Sequence, residues 1–160
     1  MLKLRPAVPE DAPQILQFIR ELAEYERDPQ AAVATEADIL RHAFSDHPLI
    51  HVVMAEWNGE PAGFALYFFN FSTWQGKPGL YLEDLFVRPA LRGHGIGKAL
   101  LKRLARIAVD HGCTRYVWQV LDWNEPSIRF YEAMGARQMK GWITCRVEGE
   151  AIAKLAEGAP

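Results

Sequence analysis

A chain of 160 residues, 49% of them hydrophobic, has the size of one domain (residues 1–160) and can bury a core of its own. A formal net charge of −2 gives no electrostatic reason to expect nucleic acid or an anionic membrane as partner. The two cysteines and five scattered histidines show no metal-ligand spacing, so no metal site is expected. No apolar run approaches the ~20 residues of a membrane span and no signal-peptide pattern opens the chain, which points to a reduced, cytoplasmic protein.

In chain order, Leu2–Arg5 reads as a short strand, and Pro9-Glu10-Asp11 opens a helix. Ile15, Phe18, Ile19 and Leu22 recur at helical spacing to about Glu26. Thr35 with Asp38 resembles a capping box for a second helix to about Phe44. His51–Trp57 and Ala62–Asn70 flank Asn58-Gly59, a strong hairpin signal. A loop over Ser72–Gly79 leads to a strand at Leu80–Val87. A helix follows with Ile96, Leu100, Leu104 and Ile107 on one stripe and Gly112 as its stop. Arg115–Leu121 reads as a further strand. Pro126 suits the first turn of a last helix, capped near Asn124 or Glu125 and ended by Gly135. Ala136–Val147 reads as one or two closing strands. This alternation, without repeats or linkers, predicts a single layered α/β domain.

The most specific stretch is Leu80–Leu101. Apolar residues on both sides of Glu83 and Asp84 suggest a central strand covered on both faces. Successive side chains point to opposite faces, so the two carboxylates are not expected to escape to one water-facing side. A buried, unpaired carboxylate costs several kcal/mol or shifts its pKa, and such groups cluster at active sites. The plainer alternative is a splayed strand end where one or both are solvated or paired with an arginine. Arg92-Gly93-His94-Gly95-Ile96-Gly97-Lys98 then forms a basic, glycine-rich turn at a helix N-terminus, a ready anion site. Arg92 and Lys98 add charge for phosphate oxygens. Lys98 stands where the third glycine of G-x-G-x-x-G belongs, and the P-loop spacing is absent, which argues against a Rossmann-type nucleotide binder.

Arg92–Gly97 matches the R/Q-x-x-G-x-G/A acetyl-CoA pyrophosphate loop, and the chain resembles the GNAT N-acetyltransferases. Glu24–Glu26 (EYE), Ser72–Lys77, Leu80–Val87, Leu121–Ser127 and Phe130–Ala136 are similar to the diamine branch, which holds the spermidine/spermine and thialysine acetyltransferases. The similarity runs in register from about Leu2 to Ala156. It implies an α+β fold with a mixed, mostly antiparallel central sheet, flanked by helices and splayed between Leu80–Val87 and Arg115–Leu121 at the cofactor site.

The resemblance further implies acetyl-CoA as co-substrate. Its pantetheine arm would dock like an added strand on main-chain groups of Leu85, Phe86 and Val87, and its pyrophosphate on Arg92, Gly93, His94, Gly95, Ile96, Gly97 and Lys98. A main-chain amide of the Glu83–Phe86 segment would face the oxyanion. Asn124 and Ser127 would touch the cofactor, and Tyr131 would protonate the departing thiolate. By periodicity alone Tyr131 is an amphipathic core aromatic. The acceptor would be the primary amine of a small molecule. Its ammonium form, with a pKa of ~10.4, must lose a proton before attack. Glu83 is then the candidate base and Asp84 an anchor, although the residues alone do not divide these roles. Tyr25, Glu26 and Trp74 match acceptor-site positions; their alternative reading is a surface helix end and a loop anchor. Ser72 and Thr73 stand where polyamine-type relatives carry an acidic residue before the tryptophan, which favours a thialysine- or lysine-like amine or a short diamine. A homodimer with Trp142–Val147 at its interface is also implied. The alternatives are a protein-amine acetyltransferase and a non-catalytic acyl-CoA sensor.

Overall fold

The computed structural model describes Met1–Gly158. These residues separate into two compact units, the first ending at Leu121 and the second beginning at Asp122.

The first unit is a five-stranded sheet in the order β1-β2-β3-β4-β5 with three α-helices. Its strands are β1 (Leu2–Pro6), β2 (His51–Trp57), β3 (Glu60–Ser72), β4 (Lys77–Val87) and β5 (Arg115–Trp118). Neighbours pair antiparallel except β4 and β5, which run parallel. Helix α1 (Ala12–Tyr25) follows a 3-10 turn at Pro9–Asp11, and α2 (Glu36–Ala43) carries the expected capping box. There the Asp38 N–H donates to Thr35 Oγ1 at 3.2 Å and the Thr35 N–H to Asp38 Oδ2 at 2.9 Å. Helix α3 (Ile96–Asp110) makes the crossover from β4 to β5, as a parallel pair requires.

Period-two alternation sorts the sheet's side chains between two layers. Val52, Met54, Phe64, Leu66 and Phe86 meet Ala12, Ile15, Leu16 and Phe18 of α1 and Ile39 of α2 in one core. The opposite face belongs to α3: Tyr116 donates to the Leu101 carbonyl at 3.3 Å, and the rings of Phe69 and His111 lie 4.8 Å apart. Ile96, Leu100 and Leu104 of the expected stripe are buried there, whereas Ile107 is half-buried.

Asn58 and Gly59 both take positive φ, 52° and 86°, as a two-residue hairpin demands. Two expectations change. The loop anticipated over Ser72–Gly79 is a four-residue turn, 73–76, because β3 and β4 continue their ladder to Ser72↔Lys77. Strand β5 stops at Trp118 rather than Leu121, since its last partner on β4 is Leu82. Beyond Leu82 the two strands part, which is the anticipated splay.

The second unit holds α4 (Glu125–Ala133) and α5 (Glu150–Glu157). Asn124 caps α4, its side chain accepting from the Ser127 N–H at 3.4 Å, with Pro126 in the first turn. Gly135 follows the helix at φ 98°. The closing strands expected over Ala136–Val147 do not form: residues 136–148 lack regular structure, with Trp142 73% and Ile143 88% exposed. An alternating apolar pattern becomes a strand only against a partner edge, and no ladder in the described residues supplies one. Helix α5 was not expected from the sequence.

Candidate active site

The sheet opens at an irregularity in β4. Tyr67 pairs with Leu82 and Ala65 with Leu85, so two residues on β3 span the same length as three on β4. Glu83 is the extra residue, and β4 carries a β-bulge there. Tyr67 and Ala65 share the α3 face, so Leu82 and Leu85 do too, and Glu83 and Asp84 fill the place of one residue between them. Asp84 stands opposite Leu66, on the α1 side. The expectation that the carboxylates occupy opposite faces is thereby corrected, because the bulge breaks the alternation on which it rested.

The consequence is electrostatic. Burial, then the charge of Glu83, then that of Glu26 push Asp84 up to about 7. Glu26, at the C-cap of α1, is raised by burial and by Glu83. Tyr81, stacked on Phe68 with ring centroids 5.0 Å apart, is raised by the same two causes. Glu83 itself is exposed. Three carboxylates from two elements thus converge where β4 and β5 separate, with no cation of the first unit paired to any of them in the described residues. Such a constellation is matched to a cationic ligand. Helix α1 delivers Glu26 by ending abruptly: Arg27 takes a left-handed φ of 64°, and the Asp28 N–H closes on the Ala23 carbonyl at 2.9 Å.

Tyr25 lies one residue earlier, and the Arg92 guanidinium sits 4.7 Å from its ring centroid and 5.8 Å from that of Phe86. Arg92 Nε also donates to the Val87 carbonyl at 3.0 Å. The Arg88 N–H donates to Ala62 across the same ladder. In that register Phe86 turns its peptide groups toward β3, and Leu85 and Val87 turn theirs toward the gap left by β5.

Past β4, Gly93 and Gly95 take φ of 84° and 77°, and a Cβ on either would meet nothing within 4 Å. Gly95 is the N-cap of α3, and no side chain caps that helix. The first-turn N–H groups of Ile96, Gly97 and Lys98 therefore have no side-chain cap at the head of a 15-residue helix. This uncapped, glycine-rich cradle beside an open strand edge fits a pyrophosphate carried on an extended arm.

The sequence-chosen residues separate accordingly. Tyr25, Glu26, Glu83, Asp84 and Arg92 come together, and Tyr81 joins them although no motif in the sequence singles it out. Trp74 stands at the tip of the β3–β4 turn, 83% exposed. Six residue-to-residue steps from Lys77 to Glu83, at ~3.3 Å each, put it roughly 20 Å from the carboxylates of its own chain. Asn124, Ser127 and Tyr131 lie on α4 of the second unit, with Asn124 buried and its side chain engaged in the cap. In the described residues no group of histidines, cysteines and carboxylates is arranged to hold a metal ion.

Residues 14–136 match the acetyltransferase (GNAT) family. The thialysine N-epsilon-acetyltransferase of Sus scrofa is 40% identical over 164 residues, covering 96% of each chain. The spermidine/spermine N(1)-acetyltransferase-like protein 1 of Homo sapiens is 38% identical over 96% of this chain and 24% of its own length. An integron cassette protein from V. cholerae superposes with a TM-score of 0.82 at 30% identity, covering 98% of both chains. The chain belongs to the GNAT acetyltransferase family and is an amine N-acetyltransferase, an enzyme class that draws its acetyl group from acetyl-CoA.

Proposed function

We propose that this enzyme acetylates the primary amine of a small thialysine- or lysine-like amino acid or short diamine. The observation that carries the reading is the convergence of Glu26, Glu83 and Asp84 at the sheet's open end, next to the glycine cradle of α3. The amine reaches the site as an ammonium ion, attracted by that cluster and by the face of Tyr25. Asp84 and Glu26 anchor it. Glu83, the exposed member, removes the proton directly or through a water molecule, and is the candidate catalytic base. Bound acetyl-CoA supplies the acetyl group as a thioester. Its pyrophosphate is assigned to the N–H groups of Gly93, His94, Gly95, Ile96, Gly97 and Lys98 with Arg92. Its extended arm is assigned to the outward peptide groups of Leu85 and Val87, with Phe86 packing behind them and Asn124 and Ser127 as further contacts. Tyr131 is the candidate acid for the thiolate.

A small acceptor is supported by the name of the pig relative. We read the whole chain as one acetyltransferase domain, because the family match crosses the boundary between the units at Leu121. We also read it as a cytoplasmic homodimer. Met139, Trp142, Ile143 and Val147, all at least half exposed along 136–148, support a partner copy covering that segment. In the described residues no helix is long and apolar enough to cross a membrane.

Thiol release from acetyl-CoA by the purified protein tests the reading, with thialysine, lysine, ornithine, putrescine, spermidine, spermine and a lysine-containing peptide as acceptors. Saturable turnover with thialysine, lysine or ornithine is expected. Turnover with the peptide alone would assign a protein substrate. Acetyl-CoA binding without turnover would indicate a sensor.

A further inference from the structure

The glycine cradle poses a physical problem. Gly93 and Gly95 let the backbone turn with positive φ, but glycines give up the most conformational freedom when fixed, and α3 has no side-chain cap to hold its first turn. The cradle's orientation must come from elsewhere. On its helical side it is pinned by Ile96, which is 1% exposed. Between the two glycines only His94 carries a side chain. Its Nδ1 lies 3.1 Å from the Leu91 carbonyl, and its ring sits 4.9 Å from that of Trp57, tilted by 57°.

Trp57 is well placed to act as the fixed partner. It is the last residue of β2, paired with Leu2 on one side and Glu60 on the other. The Asn58-Gly59 turn follows directly, so its backbone is held on three sides. It shares a face with Val53 and Ala55 by strand alternation, the face that α3 covers. The indole is only half-buried and is no part of the carboxylate cluster.

We infer that Trp57 is a positioning residue for the cofactor: its indole clamps the His94 ring and so holds the peptide N–H groups between Gly93 and Gly97 in register for a pyrophosphate. The inference rests on the assignment of that loop to acetyl-CoA. It makes the first hairpin, which carries no chemistry, a determinant of cofactor affinity. The Trp57–His94 pair acts before chemistry, so its loss shows in CoA binding and in the KM for acetyl-CoA, while in W57A kcat at saturation and the KM for the amine stay put.

Calorimetric titration of CoA into wild type, W57A, W57F, H94A, H94F and the W57A/H94A double variant is the test. An aromatic contact of this kind corresponds to a roughly 2- to 12-fold loss of affinity in W57A and in H94A. W57F and H94F, which keep a ring on each side, should recover most of it. In the H94A background W57A should cost little more, since both act through one contact. Three results overturn the proposal: full CoA affinity in a folded W57A, fully additive losses in the double variant, or H94F as weak as H94A, which would assign the effect to the polar contacts of the imidazole and not to the ring pair. The histidine variants leave the hairpin intact, so the proposal stays testable if W57A does not fold. A wild-type chain with no affinity for CoA would instead bring down the cofactor assignment itself.

Discussion

Replacing Asp84 by asparagine isolates the electrostatic cost of the carboxylate cluster. In the folded chain Asp84 titrates at about 7 against 3.8 for an unhindered aspartate, because burial, Glu83 and Glu26 all disfavour its charge. The folded state therefore holds its proton more tightly than the unfolded state. Below about pH 3 both states are protonated and the site costs nothing. As pH rises toward 7 the unfolded chain ionises first and stability falls; above 7 the penalty is complete. Three pKa units at 1.36 kcal/mol each make it about 4 kcal/mol. The amide of D84N keeps the shape and removes the titration. The variant should match wild type in urea denaturation at about pH 3 and exceed it by about 4 kcal/mol near pH 8, with the difference growing between. The same substitution should raise the KM for the amine if, as proposed, the charge that destabilises the empty site is the one that holds an ammonium. A stability difference independent of pH, or a D84N chain weaker than wild type near pH 8, would refute the argument that Asp84 is held neutral by its neighbours.

Glu83→Gln should lower kcat by roughly 10²–10⁴-fold at neutral pH and recover as pH approaches the acceptor's own pKa; an unchanged pH–rate profile would remove Glu83 from the role of base. Gly63→Ala places a Cβ 2.2 Å from the Phe86 carbonyl oxygen, a backbone atom, so β3 and β4 must separate. A loss of ~1–3 kcal/mol in chemical denaturation is expected, together with weaker CoA binding, because the displaced strand carries Leu85 and Val87.

Most of the scaffold was legible in the sequence because its signals are local. Asn58-Gly59, the Thr35/Asp38 capping box and the α3 stripe each act within a few residues, and each forms as read. The closing strands over Ala136–Val147 failed for the opposite reason: a strand is a relation between two segments, and periodicity names only one of them. The site lies between these cases. Glu26, Glu83 and Asp84 stand out one by one as candidates, whereas their arrangement does not, because a single inserted position decides it. Period-two reasoning sends Glu83 and Asp84 to opposite faces, and every neighbour of the pair supports that reading until β3 is laid beside β4. The pairing Leu66↔Asp84 followed by Tyr67↔Leu82 leaves Glu83 without a partner. The bulge then does three things together. It collects both carboxylates beside Glu26, it sets the register that turns Leu85 and Val87 outward, and it falls where the β5 ladder ends. A regular β4 would keep each residue and lose the cluster, so deleting the residue at 83 should abolish the acceptor site more completely than removing any one charge from it.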